Sequence, residues 1–288
     1  MIATVVYLLG VIIGGVTFSW LIHEWIPVPY EKVLSRSILL FAAIGLVPLW
    51  RKLGLNSQGI GLAPFDRAVL RPAYLIGVAL ILPLLLFYAV TGFRVWNTAI
   101  DLSGLDFWRF VLVAFVSAWL VGIFEESLFR GVFFGSVFEK FGFWFAAVSS
   151  SAFYSAVHFI GGVDDVVVEN VGFTTGFKMV GLAFTQFTQM SEIWDSALSL
   201  FLLGMLFCVV RVRVGLWACI ALHSAWVFGI RTFKELTVRD VVNPFASWTG
   251  EYDHFVGNLA SVWLIFIFVV IALVDQYRQG SQSLPGRA

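Results

Sequence analysis

Phe124-Glu125-Glu126-Ser127-Leu128-Phe129-Arg130-Gly131 lies inside a run that is otherwise apolar from 110 to 138. Moving one charge into hydrocarbon costs roughly 2.5–3.5 kcal/mol on insertion scales. Three charges in one stretch therefore need partners or a task. On a helix, Glu126 and Arg130 stand one turn apart and can pair. Glu125 is turned about 100° from Glu126 around the helix axis, so it faces something else. A structural ion pair that joins two helices is the plain reading. Intramembrane ionisable groups are functional by default, which favours the second reading, a working site.

The rest of the chain supplies the hydrocarbon setting. Its 288 residues are 60% hydrophobic and 12% charged. Soluble domains run at about 45–50% and about 25%. With a mean hydropathy of +0.91, this is a polytopic membrane protein whose first environment is the lipid bilayer. The formal net charge is zero, and without a basic surface no nucleic-acid partner is expected. Cys208 and Cys219 lie in apolar runs and read as buried free thiols, not a disulfide framework. Thirty Phe and twelve Trp suit lipid-facing surfaces and interfacial belts. The first apolar run, 2–22, has neither a basic leading segment nor a small-residue cleavage site, so it reads as a retained span.

A helix needs about 20 apolar residues to cross the hydrocarbon. That ruler predicts eight spans, at 2–22, 33–50, 72–92, 107–138, 143–160, 193–210, 214–231 and 255–274. The expected fold is an all-α membrane bundle, with the candidate site between spans 4, 5 and 7. No internal repeat divides the chain, so 1–288 reads as one membrane domain. The 51–71 connection carries Arg51, Lys52, Arg67 and Arg71 among glycines and Pro64, and Arg211 and Arg213 form a second basic connection. The positive-inside rule places these, 139–142 and both termini in the cytoplasm. Segment 161–192, with Asp164, Asp165, Glu169 and Glu192 against Lys178, falls outside. Its phenylalanines among glycines suit an interfacial helix or a re-entrant piece, with a lid as the sharper alternative. The mixed-charge 232–254 loop is placed outside by parity alone.

Two of the four histidines, His158 and His223, also fall in apolar spans. With a turn at 140–142, Glu125 and His158 lie 16 and 17 residues on either side of Phe141. At 1.5 Å per residue both sit ~25 Å from the turn, so an antiparallel hairpin brings them to one depth. His223 lies only ~15 Å past the basic turn at Arg213, a mismatch of roughly 10 Å unless spans 4 and 5 protrude further. A lone membrane histidine is often an interhelical hydrogen-bonding group, and the serines at 149–151, 155 and 224 read as packing residues. Tyr154 shares a helix face with His158, where it either packs or orients the imidazole.

A carboxylate paired with a histidine can hold a water and take its proton. A second imidazole can donate to the oxyanion formed when water attacks an amide carbonyl. Glu125, His158 and His223 supply those groups, with Glu126 and Arg130 in support. The same three residues can instead ligate zinc, with water as the fourth ligand. A proton-coupled transporter is the rival from another class, although the internal repeat expected of one is not found. A non-catalytic scaffold that binds a partner helix is the third.

The ordered set Glu125-Glu126-x-x-x-Arg130, Tyr154-x-x-x-His158 and the later His223 resembles the CAAX-protease and bacteriocin-processing (CPBP, or Abi) family of intramembrane endopeptidases. The likeness covers 107–231. It implies a glutamate-dependent protease without a cofactor, acting on a membrane-anchored protein or peptide. Glu125 would be the catalytic carboxylate, His158 its partner on the water, His223 a builder of the oxyanion site, and Glu126 and Arg130 supports. The family often has Asn or Asp four residues after the last His. Here that position is Val227, with Ser224 and Trp226 as the nearby replacements. The short loops fit a bacterial plasma (inner) membrane. Neither the substrate nor the oligomeric state is legible in the chain.

Overall fold

A computed structural model describes residues 2–159 and 170–282. In chain order its long helices are α1 (Ile2–Ile22), α2 (Tyr30–Lys52), α3 (Arg67–Val90), α4 (Leu105–Glu126), α5 (Phe134–His158), α6 (Thr175–Ala183), α7 (Met190–Arg213), α8 (Leu216–Leu236) and α9 (Asn258–Gln282). A π-helical turn, Ser127–Phe133, joins α4 to α5. Among the described residues, seven helical stretches are long and apolar enough to cross a membrane. One of them, Leu105–His158, is 54 residues long and folds back on itself. Gly142 has φ 76° and ψ −179°, a backbone state that glycine adopts without a Cβ clash. Residues on either side then meet in order: the rings of Phe133 and Phe153 lie 4.5 Å apart, and Ser150 Oγ donates to Phe129 O at 2.9 Å. Among the described residues the bundle is therefore all-α, with eight stretches long and apolar enough to cross a membrane once the folded-back one is counted as two, as expected. The span expected at 107–138 is not one regular helix, because the π turn interrupts it.

The helices meet through small residues, as they must where lipid offers no hydrophobic drive for association. A Cβ on Gly122 of α4 would fall 2.5 Å from Ser224 Oγ of α8, and one on Gly204 of α7 would fall 2.8 Å from Ser151 Cβ of α5. These positions let α4 pack on α8, and α7 on α5, at backbone distance.

One end of the bundle collects the basic connections. Arg211 donates to Ile60 O at 3.3 Å, Trp217 Nε1 donates to Leu62 O at 3.1 Å, and Arg213 pairs with Asp275 of α9. Thr4, Leu49, Leu53, Lys140 and Phe141 line one cavity there. The opposite end carries a small antiparallel hairpin of β1 (Arg94–Trp96) and β2 (Thr237–Arg239), registered as Arg94↔Arg239 and Trp96↔Thr237. No residue pattern in the sequence predicts strands at this end. Nearby, α6 packs Met179 into a buried cluster with Val16, Tyr30 and Leu34, so an ordered helix does occupy the second half of segment 161–192. Asp164, Asp165 and Glu169 lie outside the described residues.

Candidate active site

Glu125 and Glu126 end α4, Arg130 sits in the π turn, His158 ends α5, and His223 stands in the second turn of α8. The fold brings all five together. A π turn inserts one extra residue per turn, and such turns recur at functional sites. Here it spans the three residues between Glu126 and Arg130 and still leaves them paired, Arg130 Nη1 to Glu126 Oε1 at 3.1 Å.

Neither partner of that pair has any solvent exposure. The guanidinium is held on its faces, with Cζ 4.3 Å from the Tyr154 ring centroid and 5.0 Å from that of Phe207. A desolvated cation over aromatic faces gains about 2 kcal/mol. Glu126 Oε1 has a second partner, which the sequence did not indicate. His223 Nδ1 lies 2.7 Å away, and the His223 ring stacks on Phe207 at 5.2 Å with 16° between planes. An ionised carboxylate only accepts, so Nδ1 carries the proton and Nε2 points the other way.

His158 is oriented by the same logic. Its Nδ1 lies 2.7 Å from Tyr154 O. A carbonyl only accepts, so this nitrogen too is the donor and Nε2 is left toward the cavity. The Tyr154 ring packs edge-on against the imidazole at 4.4 Å. Tyr154 thus packs and orients at once.

Both Nε2 atoms converge on one oxygen. Glu125 Oε2 lies 3.9 Å from His158 Nε2 and 3.8 Å from His223 Nε2. These separations exceed a direct hydrogen bond but suit a bridging water, at about 2.8 Å from each neighbour. Among the described residues, Glu125 Oε2 is buried without a hydrogen-bond partner. Glu126 Oε2, Ser127 Oγ and Arg130 Nε and Nη2 share that condition. Buried polar atoms normally find partners, so this many orphans in one place mark a site built to receive something polar.

The depth of His223 is reached as the sequence requires, by protrusion of spans 4 and 5. Gly131 abuts Ile60 O and Leu216, the first residue of α8. The α4–α5 hairpin therefore overshoots the start of α8 by eleven residues (131 to 142), about 16 Å of helix. The two expected replacements for a donor at Val227 are both committed elsewhere. Ser224 Oγ donates to Ile220 O at 2.7 Å, and Trp226 Nε1 donates to Gly77 O at 2.8 Å. Two contributors escaped sequence reading. Phe207 carries no polar signal. Arg211 looked like a topological charge, yet its Nε lies 3.4 Å from Arg130 O, at the edge of hydrogen-bonding range.

Glu125, His158 and His223 also present the donor types of a zinc site, with both Nδ1 atoms anchored as metal-ligating histidines require. Tetrahedral zinc at about 2.0–2.1 Å sets its ligands roughly 3.3 Å apart, against the 3.8 and 3.9 Å found. Among the described residues no His, Cys, Asp or Glu cluster has metal-binding geometry as it stands. The donor chemistry fits the ion, and the spacing would have to contract by about half an ångström.

Residues 107–229 match the family described as Rce1-like, Type II CAAX prenyl endopeptidase. That segment is similar to the Rce1-like family. All five site residues fall inside the matched segment. That family is described as an endopeptidase family, and the match covers 123 of the 288 residues. No curated protein and no solved structure matches it.

Proposed function

We propose that this chain is an intramembrane endopeptidase that hydrolyses a peptide bond in a membrane-associated protein or peptide, with 107–231 as its catalytic core. The observation that carries the reading is the convergence of two imidazole Nε2 atoms on the orphaned Glu125 Oε2. A water bridging Glu125 and His158 Nε2 gives its proton to the carboxylate as its oxygen attacks the carbonyl carbon. The carbonyl π bond opens and negative charge moves to oxygen. When protonated at Nε2 as well, His223 donates to that oxyanion, and Glu126, on its Nδ1, then balances the charge. The carbonyl re-forms, the C–N bond breaks, and the proton held by Glu125 passes to the leaving amine. The basic end faces the cytoplasm by the positive-inside rule, and the setting is a bacterial plasma membrane.

The anchored Nδ1 atoms favour one second reading, the zinc-dependent form of the same hydrolysis, in which the ion would supply Lewis acidity and a more acidic water. A cleavage assay on co-expressed membrane peptides, with Glu125→Ala and His158→Ala beside wild type, tests the reaction. Cleavage should vanish in both variants, and equal cleavage by all three proteins contradicts the proposal. Metal analysis of the purified protein with a chelator titration separates the two forms: activity that survives chelation supports the water-only form.

A further inference from the structure

His158 is the last residue of α5, where carbonyl oxygens run out of helical partners. Its oxygen accepts a hydrogen bond from the hydroxyl of Tyr252, 94 positions later, at 2.6 Å. The Tyr252 ring lies 4.8 Å from that of Phe159, and Phe159 is fully buried. One side chain from the connection between α8 and α9 thus grips the backbone at His158 and the residue after it.

The connection that presents Tyr252 is itself fixed at several points. Asp253 Oδ1 accepts from the N–H groups of Phe255 and Val256 at 3.0 and 2.7 Å, and its Oδ2 accepts from Lys234 Nζ at 2.6 Å. Tyr88 donates to Phe255 O at 2.9 Å, and Ser199 donates to Gly257 O at 2.7 Å. Arg239 holds Glu251 on the other side of Tyr252. These ties to α3, α7 and α8 make a platform from which the Tyr252 hydroxyl reaches the end of α5.

We propose that Tyr252 is a positioning residue for His158. It touches no reacting atom. It sets the backbone from which the imidazole hangs, while Tyr154 O sets the rotation of the ring. Together they place Nε2 opposite Glu125, where a misplacement of about 1 Å costs on the order of 10²-fold in rate. The functional meaning rests on the endopeptidase reading. The positioning itself does not.

The test uses the full chain in lipid nanodiscs with 15N-labelled histidine, comparing wild type with Tyr252→Phe. That variant removes one hydroxyl and keeps the ring on Phe159. The ring-nitrogen signals of His158 should shift, while those of His23, held on Trp20 O after the end of α1, stay in place and report an intact fold. In cleavage, kcat should fall on the order of 10-fold with KM changed less than about twofold, as for a group that aligns the reacting atoms. Unchanged His158 signals, or a loss confined to KM, overturns the proposal. If wild type cleaves no peptide, the endopeptidase reading falls, and the ring signals alone still decide the role of Tyr252.

Discussion

Arg213–Asp275 and Arg130–Glu126 are both arginine–carboxylate pairs in one molecule, and their geometry ranks them the wrong way round. At the basic end, Arg213 grips Asp275 with two hydrogen bonds of 3.0 and 2.6 Å. Those side chains are 49% and 36% exposed. Inside the bundle, Arg130 reaches Glu126 with one contact of 3.1 Å and neither side chain is exposed. The shorter, bidentate pair is the weaker one, because water and salt compete for both of its members. The longer pair cannot lose a member without leaving an uncompensated charge in hydrocarbon. Burial, not bond length, sets what each pair is worth.

The comparison breaks if Arg130→Ala and Arg213→Ala cost the same. Arg130→Ala should destabilise the fold by about 3–5 kcal/mol, the usual penalty for orphaning a buried charge. Thermal unfolding in detergent should show it, along with poor recovery from membranes. Glu126→Gln comes next. It keeps the shape but removes the charge shared by Arg130 and His223. Cleavage should fall about 10–100-fold, the usual cost of losing an orienting partner, read as kcat on protein that still folds. Arg213→Ala should cost about 0.2–1 kcal/mol, and less in high salt.

The smallest effect belongs to the outer connection. Hydrogen bonds from Arg239 hold the Glu251 carboxyl below its ordinary pKa. Because the folded value is depressed, the stabilisation is fully present above the unfolded pKa of about 4.3 and is lost as pH falls through the folded value. Glu251 is largely exposed, so the slope should be slight and flattened by salt. Arg239→Gln should remove it from the acid limb of a stability-versus-pH curve.

Much of the buried region was legible in the sequence because helix rise is constant. Glu125 and His158 are nearly symmetric about Gly142, so arithmetic alone paired them. For His223 the arithmetic from the basic turn at Arg213 leaves a gap, and it closes on the condition the sequence sets, the α4–α5 hairpin running past that turn. The π turn was hidden, since no residue type in Ser127–Phe133 demands one. At the other end, three-residue strands and one tyrosine bonded to a backbone oxygen leave no periodicity to read. Tyr252 looks like any interfacial aromatic until the fold places it over His158. The small residues Gly122 and Gly204 fall between these cases: visible in the chain, but with meaning only once their partners Ser224 and Ser151 are known.

The central claim is that Glu125 takes the proton from a water held between it and His158. Glu125→Gln tests it most directly, because the amide keeps the shape of the carboxyl and removes its basicity. Purified wild type and variant in proteoliposomes, compared in single-turnover cleavage of a membrane peptide, should differ by about 10²–10⁴-fold, the usual contribution of a general base. Peptide binding should be unchanged. Cleavage by Glu125→Gln within about twofold of wild type would contradict the account.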